Sequence, residues 1–281
     1  MIKRKIRIGL FKDEDLASIW IANYFDRFIK ENPRSSIGIT TEFSSSITTC
    51  KLLKKYAQEG TDWSKITFFG IQEFIGLPQI HPGSFRSQIT THLLDGTNIK
   101  NKNIHFPNGF AKNLGKESTN YEESIDAKGG IDLQYLSLGL NGSVACTEPG
   151  TSLFDHTHMT LLDEVTRETL VKEEKFGSYN ETPSRAITVG MQTIMKFKEV
   201  LMVSLGKDKA KITKSMLEDN INSDVPSSLL REHRNVLFIL DEASAKKINL
   251  DNFEVKDFRG YLDDLNKEEL EEFKENLKNN F

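Results

Sequence analysis

Ile131-Asp132-Leu133-Gln134-Tyr135-Leu136-Ser137-Leu138-Gly139-Leu140-Asn141-Gly142-Ser143-Val144-Ala145-Cys146-Thr147-Glu148-Pro149-Gly150 opens as an apolar run and then breaks on glycines. The run over 131–138 has the length of a buried strand and is short for a helix. Gly139 and Gly142 end it, and Glu148-Pro149-Gly150 turns the chain away. A buried strand running into a glycine-rich turn marks the carboxyl edge of an open α/β sheet, where ligands sit.

The pattern repeats outward from this stretch. Upstream, strands are expected over 6–11, 36–41, 65–71 and 104–106. Helices are expected over 13–30, 47–59, 82–94 and 118–128, the first with Leu16, Ile19, Trp20, Tyr24, Phe25 and Phe28 on one face. Downstream, 186–189 and 199–205 read as strands around a short helix, a helix runs through Leu217, and 235–240 is a near-continuous apolar strand ending at Asp241-Glu242. Leu270, Phe273, Leu277 and Phe281 are spaced for an amphipathic helix over 266–281. Alternating strands and helices predict a mostly parallel sheet covered on both faces. No repeat or long linker divides the 281 residues, so one domain over 1–281 is the simplest organisation.

Composition narrows the function classes. A net charge of −4 argues against a dedicated nucleic-acid surface. No apolar run of about 18 residues suggests a membrane span. The two cysteines, Cys50 and Cys146, imply no disulfide framework, so a reducing cytoplasm is the expected location.

The central stretch resembles the glucosamine-6-phosphate deaminase (isomerase) and 6-phosphogluconolactonase superfamily, whose members carry Gly-x-Gly-x-Asp-Gly-His-x-Ala-(Phe/Ser)-Asn-Glu-Pro there. Other landmarks follow in order. Gly38-Ile39-Thr40-Thr41-Glu42-Phe43-Ser44-Ser45 aligns with the family's phosphate loop, and Phe69-Gly70-Ile71-Gln72-Glu73-Phe74-Ile75-Gly76-Leu77-Pro78 with its Asn-Met-Asp-Glu-Tyr-x-Gly-Leu-Pro. His81-Pro82, Ser84-Phe85, residues 186–190, 206–210 and 228–233, and Asp241-Glu242 match as well. The resemblance implies a modified Rossmann-like, doubly wound α/β fold and a sugar or sugar-phosphate ligand. It implies no cofactor and no metal, and it is compatible with a homo-oligomer.

The same resemblance exposes what has changed. Gln72 stands where the deaminases place the carboxylate that moves a proton between C1 and C2 of the opened sugar. An amide hydrogen-bonds but takes up no proton near pH 7. Ser143 replaces a histidine that assists ring opening, or activates water in the lactonases, and Asn141 replaces its partner aspartate. Glu148 is kept and is the remaining catalytic candidate; Glu73 beside Gln72 reads as structural.

In the phosphate loop Glu42 and Phe43 fill two glycine positions, where the carboxylate is expected to repel an anion or compete for the helix N–H groups. Thr41, Ser44 and Ser45 keep hydroxyls. Lys209 matches the family's phosphate lysine, and Lys172 falls near its arginine but lacks the bidentate fork. His158 and Thr160 lie where allosteric relatives have basic residues, so no such activation is expected.

Other constellations are weaker. Asp155-His156-Thr157-His158 has metal-ligand chemistry but no distant second pair, and reads as a loop. Cys146 reads as a small buried side chain with no placed histidine to activate it. Ser44-Ser45-Ser46 reads as helix capping rather than a nucleophile site. The combined expectation is a catalytically degraded family member that binds a sugar, a sugar phosphate or a protein partner. The alternatives are an enzyme of altered chemistry relying on Glu148, and the parent amino-sugar-phosphate activity at a low rate.

Overall fold

The computed structural model describes residues 5–41 and 43–262. The helix expected over 266–281 and the side chain of Glu42 lie outside the described residues.

The first half of the chain runs β1 (Arg7–Phe11), α1 (Glu14–Glu31), β2 (Ser36–Ile39), α2 (Ser44–Gln58), β3 (Thr67–Phe69), β4 (Gln72–Phe74), α3 (Phe85–Ile89), β5 (Ile104–His105), α4 (Leu114–Asp126) and β6 (Leu133–Ser137). The second half runs β7 (His158–Leu161), α5 (Glu164–Lys172), β8 (Arg185–Thr188), α6 (Met191–Ile194), β9 (Glu199–Ser204), α7 (Ala210–Glu218), β10 (Val236–Asp241), α8 (Glu242–Ala245) and β11 (Glu254–Asp257).

Eight strands form one sheet in the order β11-β1-β10-β9-β6-β2-β3-β5. Every pairing in it is parallel, as expected from the alternation of strands and helices. From β2 the chain steps outward to β3 and β5, then returns to β6 on the other side of β2. The reversal opens a crevice between the carboxyl ends of β2 and β6, and it is there that the glycine-rich turn lies.

Alternation along the strands sorts two cores. Leu136, Val200, Met202, Phe238 and Leu240 pack on one face with Tyr121 and Ile125 of α4. Leu133, Tyr135, Leu201, Val203 and Ile239 pack on the other with α1 and α2. Each such buried side chain is worth about 1.5–3 kcal/mol, so a one-residue slip of any central strand is excluded.

Gly38 on β2 is dictated by its neighbour: a Cβ there would lie 2.2 Å from Oε1 of the buried Gln134.

Several boundaries differ from the sequence expectation. The helix of 82–94 begins only after the Ser84 cap, and its end widens into a π-turn at Thr90–Leu94. The segment 186–189 does form a strand, but an antiparallel one in a separate three-stranded sheet, β4-β8-β7. Gln72, Thr188 and His158 lie in register across it. Residues 155–158 were expected to be loop throughout, yet His158 already starts β7.

Candidate active site

The turn after β6 is curled by isolated bridges, Leu138 with Val144 and Val144 with Thr147. Gly142 supplies one left-handed backbone position (φ 91°), and Ala145 is forced into another (φ 51°). A left-handed alanine costs roughly 1–2 kcal/mol, which the surrounding bridges must supply. The curl sets Asn141, Ser143, Cys146 and Glu148 along the crevice edge.

Asn141 and Glu148 meet in a polar cluster. Asn141 Nδ2 donates to Glu148 Oε2 at 2.7 Å and to Asp163 Oδ2 at 2.8 Å, and its Oδ1 accepts the Ser143 N–H at 3.1 Å. Thr166 Oγ1 donates to the same Glu148 oxygen at 3.0 Å. Glu148 is only 3 % exposed, and its Oε1 has no hydrogen-bond partner among the described residues. Burial pushes its carboxyl up to about 7 and the Asp163 charge adds to the rise, while the hydrogen bonds from Thr166 and Asn141 oppose it. Glu148 is therefore poised to hold or release a proton near neutral pH.

Asp163 and Thr166 were missed in the sequence. Their trace there is an ordinary helix cap, with Asp163 Oδ1 accepting the Thr166 N–H at 2.8 Å at the start of α5.

Gln72 sits apart from this cluster. It is 2 % exposed, and its Oε1 lies 3.6 Å from the Cys146 thiol; the Cys146 backbone N–H donates to Thr188 Oγ1 at 3.2 Å. Gln72 and Thr41 share a small hollow with Phe85 and Phe106, and the buried Thr41 hydroxyl has no partner among the described residues. Glu73 points away. It accepts from Ser84 Oγ at 2.8 Å and from the N–H groups of Phe74 and Arg86 at 2.8 and 3.1 Å, which ties β4 to α3.

Ser44, Ser45, Lys172 and Lys209 gather instead around a cavity of about 260 Å³, with Glu14, Glu173 and Asp208 between them. The Lys209 ammonium donates to the Leu138 carbonyl and lies 3.3 Å from the centroid of the Phe43 ring. Lys172 Nζ is paired with Asp208 at 2.6 Å. Phe43 is the N-cap of α2 and brings no oxygen; Glu173 Oε2 accepts the Ser44 N–H at 3.1 Å. The carboxylate seen at this helix N-terminus thus comes from the end of α5. Two residues on, Lys175 Nζ donates to the Thr41 carbonyl and to Gln88 Oε1. The spacing of motifs pointed to neither Glu173 nor Lys175.

The remaining candidates fall outside this ring. His156 Nδ1 lies 3.1 Å from Glu122 Oε1, and His158 Nδ1 lies 2.8 Å from the His156 carbonyl. Among the described residues no group of three or more His, Cys, Asp or Glu side chains is placed to hold a metal. None of the described helices is long and apolar enough to cross a membrane. Cys50 is buried in α2, where burial pushes its thiol up to about 12.

Residues 20–239 match the family described as glucosamine-6-phosphate isomerases/6-phosphogluconolactonase. The chain belongs to this family. It is 38 % identical over 244 residues to a glucosamine-6-phosphate deaminase of Mycoplasmopsis pulmonis, covering 86 % of this chain and 95 % of that one. A glucosamine-6-phosphate deaminase of Clostridium perfringens is 37 % identical over 218 residues, 78 % of this chain and 89 % of its own. Among solved structures, a monomeric glucosamine-6-phosphate deaminase superposes with a TM-score of 0.81 at 30 % identity, covering 86 % of this chain and all of that one. A 6-phosphogluconolactonase of Trypanosoma cruzi shares the fold, with a TM-score of 0.70 at 18 % identity over 87 % of this chain and 97 % of the other.

In this chain the curled turn after β6 carries the carboxylate of Glu148. The groups that donate to that carboxylate are an amide, Asn141, and a hydroxyl, Thr166, neither of which titrates near neutral pH, and the Asp163 carboxylate lies across Asn141 from it.

Proposed function

We propose that this chain binds an amino sugar, free or phosphorylated, in the crevice between β2 and β6, and that it deaminates glucosamine 6-phosphate far more slowly than the relatives it resembles. Membership of the family and identity to named deaminases support a role in amino-sugar phosphate metabolism. The observation that carries the catalytic half is the partner set of Glu148. Its hydrogen bonds come from Asn141 and Thr166, while Gln72 faces the Cys146 thiol. A deaminase must protonate the ring oxygen and then move a proton between adjacent carbons, and each positioned acid–base group is worth roughly 10²–10⁴ in rate. Neither amide can serve as one.

A second reading has its own support. Glu148 has a carboxyl pushed up to about 7 and one buried oxygen without a partner among the described residues, which suits a lone acid or base acting on a different sugar derivative.

The deciding experiment follows ammonia and fructose 6-phosphate released from glucosamine 6-phosphate, beside hydrolysis of 6-phosphogluconolactone. Turnover within about tenfold of the ordinary 1–10³ s⁻¹ range overturns the impaired reading. Silence in both assays, with thermal stabilisation by an amino sugar, supports it.

A further inference from the structure

We propose that Asp163, the N-cap of α5, is a positioning residue for Glu148: through the Asn141 amide that the two carboxyl groups share, it fixes where Glu148 sits and makes Glu148 the member of the pair that carries the proton. This rests on the reading of Glu148 as the acid or base of the crevice, and it names the residue that sets that role.

An N-cap needs one oxygen, and Asp163 brings two. Its Oδ1 accepts the Thr166 N–H at 2.8 Å and starts α5, while its Oδ2 accepts from Asn141 Nδ2 at 2.8 Å. The same nitrogen donates to Glu148 Oε2 at 2.7 Å, so both of its hydrogens are committed to carboxyl groups. The Asn141 oxygen accepts the Ser143 N–H at 3.1 Å, which leaves the amide one orientation; turned over, it would aim that oxygen at both carboxyls. Thr166 Oγ1, 3.3 Å from the Asn141 nitrogen, donates to Glu148 Oε2 at 3.0 Å. Asp163 therefore holds the two groups that hold Glu148: Asn141 through one oxygen, and the first turn carrying Thr166 through the other.

Capping alone does not call for an acid here, because Ser and Asn cap a helix about as well as Asp. The carboxylate adds a charge. Both carboxyl groups lie within 2.8 Å of one nitrogen, and two like charges so close disfavour each other's ionised form. Glu148, 3 % exposed, is the one that burial drives to its neutral form, whereas Asp163 is partly exposed and accepts a hydrogen bond on each oxygen. Burial raises the Glu148 carboxyl most; among the described residues that act on it, Thr166, Asn141 and Asp163, only Asp163 is charged, and its charge adds to the rise. The backbone N–H of Asp163 opposes the rise and is unchanged by substitution of the side chain. Glu148 Oε1 has no partner among the described residues, which leaves one oxygen of the positioned acid for a ligand.

The test is a pH titration of the side-chain carboxyl carbons by NMR, on the full chain and on Asp163→Asn and Asp163→Ser, with Glu148→Gln identifying the Glu148 signal. Both substitutes are good helix caps, so α5 is kept, and thermal unfolding of each is checked in parallel; either variant is sufficient if the other fails to fold. In the wild type Glu148 should titrate at about 7. In the variants it should titrate about one pH unit lower, the effect of removing a like charge at this range. A purely structural cap would not move that titration. If Glu148 titrates near the same value of about 7 in all three proteins, within about 0.3, its acid–base reading stands, Asp163 is an ordinary cap, and the inference is overturned. If Glu148 titrates at the ordinary 4.5 in the wild type, the acid–base reading of Glu148 itself falls, and the role given to Asp163 falls with it.

Discussion

Replacing Glu148 by glutamine removes a titrating proton from the crevice while keeping the side chain's outline. Burial lifts this carboxyl from its ordinary 4.5 to about 7, so the native state holds the proton more tightly than the unfolded chain does. The sign follows from linkage: the stabilisation is fully present below pH about 4.5 and is lost as pH rises through about 7. At 1.36 kcal/mol per pH unit the whole effect is about 3 kcal/mol, of which about 2–3 kcal/mol falls between pH 5 and pH 8.

Glutamine keeps one oxygen to accept from Asn141 and Thr166. Its amide group lands where Oε1 has no partner among the described residues, at a pH-independent cost of about 1–3 kcal/mol. The variant should therefore be the less stable protein at pH 5 and close to the wild type, or above it, at pH 8. Urea unfolding at pH 5, 6.5 and 8 measures this, with unchanged m-values as the check on two-state behaviour. The other carboxyls raised by burial, Glu14 and Glu73, are common to both proteins and cancel in the difference. A stability gap equal at pH 5 and pH 8 within about 0.5 kcal/mol, or one that widens against the variant as pH rises, refutes the poised carboxyl.

Asn141→Asp places a third carboxylate between Glu148 and Asp163 and removes the amide that donates to both. Thermal unfolding should show a loss of about 1–3 kcal/mol for each charged hydrogen bond at pH 8 and a smaller loss at pH 6, where Glu148 takes up a proton. Equal losses at the two values contradict this. Glu73→Ala leaves the Ser84 hydroxyl and the buried N–H groups of Phe74 and Arg86 without their acceptor, so urea unfolding should register a loss of about 3 kcal/mol or more; under about 1 kcal/mol would show that water replaces the carboxylate. Gly190→Ala drives a Cβ to 2.2 Å from the Asp155 carbonyl, and the repacking should cost about 1–3 kcal/mol in the same measurement, with no loss as the contrary result.

The central sheet was legible because parallel strands buried on both faces read as apolar runs, and β9, β10 and β6 have no other plausible fate. The strands that escaped notice are edges or fragments. Strand β11, Glu-Val-Lys-Asp, has three exposed residues and is a strand only because β1 pairs with it. Strand β4 has three residues, and β7 alternates half-buried with exposed positions. Helix α5 buries only Leu170, so its own apolar stripe is too thin to announce it. In each case a neighbour supplies the decision, and a neighbour cannot be read from local periodicity.

The crevice shows the same division between what spacing reveals and what assembly adds. The family resemblance singled out Asn141, Glu148, Lys172 and Lys209, but it could not show which of them already has a partner. The end of α5 decides that. Lys172 reaches Asp208, Glu173 reaches the Ser44 N–H, Lys175 reaches the Thr41 carbonyl, and Phe176 packs beside Phe74 and His81. Glu173 and Lys175 fasten this segment to the loop that opens α2, while Lys172 and Phe176 tie it to Asp208, Phe74 and His81. Each polar contact among them, being partly exposed, is worth no more than about 1 kcal/mol, but all share one short segment, so forming the first places the ends of the others within reach. A ligand entering beside α2 meets this fastened edge as a unit. Phe43 adds to this edge from the α2 loop itself, because its ring centroid lies 3.3 Å from the Lys209 ammonium.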